Sequence, residues 1–145
     1  MTRMIGINHV AFEVTDLDEA LAFYERFFDV RMRGRRPKMA WLDLGDQFLA
    51  LSQADGVTPD RGRHVGLVVD DKEGLREELR AAGLDVAASG SLRVRDPSGN
   101  QLEIVDYRDV QFSKTDAVLR GMELDGLVKS DGALAELRDK GLLED

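Results

Sequence analysis

The 145 residues are enough for one compact domain with a single sizeable core, and 43% apolar with 33% charged residues marks a globular chain rather than a disordered or fibrous one. A formal charge of −8 works against nucleic acid, whose phosphates draw affinity from clustered Lys and Arg. No apolar run approaches the roughly 20 residues of a membrane span, no long apolar signal segment opens the chain, and without cysteine neither a disulfide nor a thiolate metal site is available. The expectation is a cytoplasmic protein with no nucleic-acid or membrane partner, whose metal chemistry, if any, uses His, Asp, Glu or solvent.

"INHVAFEV", residues 7–14, has the period of a half-buried strand: Val10, Phe12 and Val14 share one face, and His9, Ala11 and Glu13 the other. "TDLDEALAFYERFF" then predicts a helix. Asp16 stands three before Glu19 as a capping box, and Leu17, Ala20, Leu21, Tyr24, Phe27 and Phe28 form one apolar stripe. Strands are predicted at 30–33, 40–44 and 48–52, separated by "GRRPK" and "GDQ". The basic run over 31–38, broken by Gly34 and Pro37, reads as a strand end and a solvated loop.

The same order then returns. Residues 64–69 alternate, with Val65, Leu67 and Val69 opposed to His64, Gly66 and Val68. A helix follows from about Asp71, with Leu75, Leu79 and Ala82 on one stripe and Gly83 as its stop. Strands are predicted at 84–87, 92–95 and 101–105, the last two joined by "DPSGN", which by itself reads as a turn. His9 and His64 are 55 residues apart, and Leu21 and Leu75 are 54 apart. A period this constant indicates duplication of a βαβββ module, each copy carrying an apolar sheet face that it cannot bury alone. After residue 107, "SKTDAVLRGM", opened by Ser113, and "SDGALAELRDKG", capped by Ser130 and stopped by Gly141, predict two short helices. The expected division is a domain over 1–108 and a helical extension over 109–145, whose leucines must be buried on that domain or on a second chain.

"NHVAF" opening one module, "HVGLVV" opening the next and "DPSGNQLEIV" closing it resemble the vicinal-oxygen-chelate superfamily. That superfamily includes glyoxalase I, bleomycin-resistance proteins, fosfomycin-resistance thiol transferases and extradiol dioxygenases. The resemblance runs over roughly residues 5–107. It implies an α+β fold in which tandem βαβββ modules, 5–55 and 61–107, curl into an eight-stranded cup with helices outside. It also implies a divalent metal on the inner face, held by the first and last strands of each module, and active sites often shared between paired chains, hence a homodimer.

Alternation brings candidate ligands to that face. If Val10, Phe12 and Val14 pack under the helix, His9 points the other way, and His64 follows by the same logic. On the closing strand Leu102 and Ile104 take the helix side, which turns Glu103 and Val105 inward. Two imidazoles and one carboxylate form the facial set that leaves coordination positions open on Fe2+, Mn2+ or Zn2+. A lone strand histidine is more commonly a structural residue, but two at duplicated positions with an inward carboxylate, which itself needs a cation or a proton, favour a metal.

Several positions depart from known members. Leu49 is expected where glyoxalase I carries a second glutamate, which argues against methylglyoxal-type isomerisation. Ala11 and Arg93 stand where the fosfomycin-resistance transferases have a threonine and a tyrosine. Arg93 and Arg95 are expected on the cup side as guanidinium forks for a carboxylate or phosphonate, although rim pairing with Glu13 or Asp43 competes. Trp41 is expected as an inward apolar wall and Tyr107 as a hydroxyl at the mouth. With both histidines committed, the candidate catalytic residues are Glu103, Glu13 and Tyr107. The expectation is a metal-dependent lyase, isomerase, transferase or dioxygenase acting on a small oxygen-bearing molecule. The competing classes are a non-catalytic drug- or metabolite-binding protein and an assembly role for the C-terminal helices.

Overall fold

The structure, a computed structural model, describes residues 1–143. It divides into two units, residues 1–63 with 95–101, and residues 64–94 with 102 onward. In the first, β1 (His9–Val14), α1 (Leu17–Phe27), β2 (Arg31–Arg36), β3 (Met39–Asp43) and β4 (Phe48–Gln53) build one sheet of order β1-β4-β3-β2, with β1 parallel to β4. The sequence pattern accounts for its core. Asp16 accepts from the Glu19 amide at 2.9 Å and starts α1 where the capping box placed it. The stripe Leu17, Ala20, Leu21, Tyr24 and Phe27 is buried, as are Phe12 and Val14 of β1 and Leu42, Leu49 and Leu51 of β3 and β4.

β2 is longer than its sequence suggested. It runs through Gly34 to Arg36 and turns at 37–38, so "GRRPK" is largely strand rather than connection. The Trp41 ring packs against Gly34, where a Cβ would meet it at 3.4 Å, an ordinary contact, and a bulge between Met32 and Gly34 absorbs the extra residue. Exposed arginines along this edge strand discourage pairing with another edge.

Residues 95–101 contain the "DPSGN" stretch, which is more than a turn. Asp96, 3% exposed, accepts from the Ser98 and Asn100 amides at 3.0 and 2.9 Å, from Asn100 Nδ2 at 2.8 Å and from the Tyr24 hydroxyl at 3.2 Å. Ser98 Oγ accepts from the Thr15 amide at 2.9 Å, and Asn100 Nδ2 donates to the Glu13 carbonyl at 3.0 Å. Burial pushes the Tyr24 hydroxyl far above the ordinary tyrosine value, and the charge and hydrogen bond of Asp96 act the same way. Gly99 adopts φ +86° with Pro59 packed where a Cβ would lie, so no other residue fits.

The second unit comprises β5 (Val65–Val69), α2 (Lys72–Ala81), β6 (Leu92–Arg95) and β7 (Gln101–Asp106) in the order β5-β7-β6, with β5 parallel to β7. A single turn at Tyr107–Asp109 then leads to α3 (Asp116–Gly121) and α4 (Asp131–Asp139). The strand expected at 84–87 does not form. Arg76, 2% exposed, reaches from α2 and donates to the Ala87 and Gly90 carbonyls at 2.6 and 2.7 Å, taking acceptors that a strand would offer its neighbour. The described residues therefore form seven strands in sheets of four and three, not one eight-stranded sheet.

In the C-terminal segment Leu119, Ala133 and Leu137 are buried. Thr115, rather than Ser113, caps α3, while Ser130 caps α4 as expected. Lys129 fastens the segment. Its ammonium donates to the carbonyls of Tyr107 at 2.6 Å, Val110 at 2.7 Å and Phe112, and lies 3.5 Å from the Tyr107 ring centroid. Burial pulls the amine below the usual lysine value, against the opposing charge of Asp106. No helix of the described residues is long and apolar enough to cross a membrane.

Candidate functional site

The parallel pairing of β5 with β7 decides which side chains meet in the second unit. Gly66 lies opposite Glu103 and Val65 opposite Leu102. Leu102 and Ile104 are buried, so Glu103 projects from the other face, as does His64 just ahead of β5. His64 Nε2 is 3.0 Å from Glu103 Oε2. Arg93, on the neighbouring β6 between buried Leu92 and Val94, brings Nη2 to 3.7 Å from the same oxygen. One carboxylate thus stands between an imidazole and a guanidinium. Because the Arg93 side chain is 55% exposed, this ion pair adds little stability and leaves guanidinium N–H groups for a ligand. Gly66 leaves the adjacent floor open, since no atom lies within 4 Å of where its Cβ would be.

The first unit presents His9 on the exposed face of β1 with Ala11 and Glu13. Its ring stacks on Phe48 at 4.6 Å and 7°, and its Nδ1 is 2.9 Å from Asn8 Oδ1. Arg33 lies over the Phe48 ring at 4.5 Å and Arg36 near the half-buried Trp41 ring at 5.7 Å. Among the described residues, no group of three or more His, Asp and Glu side chains gathers closely enough to hold a metal. The structure brings together His64, Glu103 and Arg93.

The expected position of Leu49 requires correction. Leu49 pairs with Val10 and is 5% exposed, on the buried face. Ala50 lies opposite Ala11, two residues after His9, as Glu103 lies opposite Gly66, two residues after His64. Ala50 is therefore the counterpart of Glu103, and the first module still offers no carboxylate there. Arg95 donates to the Gly99 carbonyl and to Gln101 Oε1, both at 2.8 Å, and is engaged in its own turn. Tyr107 is 6% exposed, under Lys129. Sequence reasoning did not single out Asn8, Phe48, Arg76, Asp96 or Lys129. For Asp96 a signal existed in the Asp-x-Ser-x-Asn spacing, which lets one carboxylate take two later amides.

Residues 6–104 match the Glyoxalase/Bleomycin resistance protein/Dioxygenase superfamily, and the chain belongs to it. Metallothiol transferase FosB of Bacillus licheniformis is 26% identical over 116 residues, covering 70% of this chain and 75% of that protein. FosB of Staphylococcus epidermidis is 25% identical over 118 residues, covering 70% and 82%. The crystal structure of lactoylglutathione lyase from Agrobacterium tumefaciens superposes with a TM-score of 0.59 at 25% identity, over 73% of this chain and 96% of that one. The fosfomycin resistance protein FosX of Listeria monocytogenes shares the fold, with a TM-score of 0.61 at 16% identity over 72% and 94% of the two chains.

Proposed function

We propose that the chain is a metal-dependent transferase that joins a thiol to a small electrophile bearing an anionic oxygen group. The observation that carries this reading is the cluster of His64, Glu103 and Arg93, with the pair at 3.0 Å and the guanidinium at 3.7 Å. The similarity to metallothiol transferases supports it. The donor spacing passes a simple fit test. Two donors about 2.1 Å from one ion and at right angles lie about 3.0 Å apart, which is the separation of His64 Nε2 from Glu103 Oε2. His9 is the third donor in this reading, contributed by a second copy in a homodimer, as the family's paired modules imply. A divalent ion bound there supplies Lewis acidity toward a substrate oxygen. Arg93 orients the anionic group through its outward N–H edge, Gly66 gives the substrate room beside the strand, and Glu13 is the carboxylate assigned to the thiol proton.

Titrating Mn2+ into metal-stripped protein tests the donor set. Tight binding abolished by His64→Ala and by Glu103→Gln, with the fold intact, is the expected result. Mixing His9→Ala chains with His64→Ala chains restores binding in hybrid dimers when the set is shared between copies. Absence of metal binding by the unmodified protein would overturn the reading in favour of a metal-free binding protein.

A further inference from the structure

We infer that Asn8 and Phe48 are positioning residues that hold His9 in the tautomer and ring orientation required to ligate a divalent cation; this rests on the metal reading above. A neutral imidazole has one N–H and one lone pair, and which nitrogen ligates is decided by the hydrogen bond the other makes. His9 Nδ1 lies 2.9 Å from Asn8 Oδ1. A carboxamide oxygen only accepts, so the proton sits on Nδ1 and the lone pair on Nε2, the nitrogen at the far edge of the ring. Ligand histidines are commonly fixed by such an oxygen on their second nitrogen.

The ring plane is set separately. Phe48 lies parallel to the imidazole within 7° at 4.6 Å, which removes the rotation about the Cβ–Cγ bond that an exposed histidine otherwise samples. Phe48 is in turn covered by the Arg33 guanidinium at 4.5 Å. The backbone ties both holders to His9. The Phe48 amide donates to the Asn8 carbonyl at 3.3 Å, and Gln47 Nε2 donates to the Ile7 carbonyl at 2.7 Å, so the start of β1 is pinned to the start of β4 with His9 directly opposite Phe48. Asn8 is exposed, so its replacement leaves the core untouched. The acceptor role of its side chain is then the property under test.

Nitrogen-15 NMR of the metal-free protein reads the tautomer directly, and Zn2+ titration reads its consequence. The Nδ1–H form is expected for His9 in the unmodified chain, with Asn8→Ala shifting it toward Nε2–H and weakening Zn2+ by about tenfold at an unchanged thermal midpoint. Asn8→Asp, which retains an accepting oxygen and has no N–H to give, restores the affinity. Phe48→Leu keeps the tautomer and weakens the metal. An Nε2–H tautomer in the unmodified protein, or an Asn8→Asp variant no better than Asn8→Ala, overturns the inference. His9→Ala separates the two levels: if it leaves Zn2+ affinity intact, the three-donor reading fails and takes this inference with it, whereas loss of metal in His9→Ala beside full affinity in Asn8→Ala overturns the positioning role alone.

Discussion

Replacing Tyr24 by Phe removes one hydroxyl from the interior and nothing else, and its cost follows from what that hydroxyl touches. Hydrogen bonds to charged groups contribute about 1.5–3 kcal/mol. At 3.2 Å the bond to Asp96 is long for an O–H donor, and Asp96 keeps three nitrogen donors within 3.0 Å, so the carboxylate is not orphaned. The low end applies, about 1.5 kcal/mol at neutral pH. The sign of the pH dependence is also determined. Tyr24 titrates in the folded chain far above its ordinary value of 10.0, so its contribution is complete below pH 10 and is lost as pH rises toward the folded value. Above pH 10 the unmodified protein loses stability at up to about 1.4 kcal/mol per pH unit from this group, and Tyr24→Phe does not. The two stability curves should therefore meet near pH 11, about one unit above the unfolded value. Urea unfolding from pH 7 to pH 11.5 measures the difference. A gap that stays constant across that range, or no gap at pH 7, would refute the account.

Lys129→Met strips three carbonyls of their shared donor and should cost about 2 kcal/mol, with faster limited proteolysis between residues 110 and 130. Arg76→Met should cost a similar amount, about 2 kcal/mol, and amide exchange of residues 87–91 should show the loosening, because the Ala87 and Gly90 carbonyls lose their buried donor. Arg93→Leu should leave Mn2+ affinity within about twofold while abolishing competition by inorganic phosphate at the loaded site, since its side chain is largely exposed and its pairing with Glu103 is weak. Equal loss of metal and phosphate binding would assign Arg93 to holding the cation site instead.

Much of the fold was legible because alternation and the helical stripe are local properties. His64 and Glu103 were placed on one face by counting residues from buried neighbours, and the parallel register of β5 and β7 puts them 3.0 Å apart. Failures came where distant contacts override local pattern. Residues 84–87 have strand character, but the long reach of Arg76 claims the Ala87 carbonyl from another element. Gly34 looked like a break because nothing in the sequence tells that it pairs with Trp41 across β2 and β3. Leu49 was matched to Glu103 by sliding one module over the other, and a one-residue difference in connection length exchanged the faces; only the cross-strand register reveals Ala50. The pairing of His9 with Phe48 lies on that same register.

Residues 95–101 belong with the first unit although the strands that flank them run into the second. As the chain leaves the ribosome, everything from β1 to β4 emerges before the carboxylate that satisfies the Tyr24 hydroxyl and the serine that satisfies the Thr15 amide. The opening half is thus unfinished until residue 101 is synthesised, and a gene fragment ending at Arg63 should yield a fraying, aggregation-prone product. Supplying the missing seven residues as a peptide, or as a tethered linker, should rescue it.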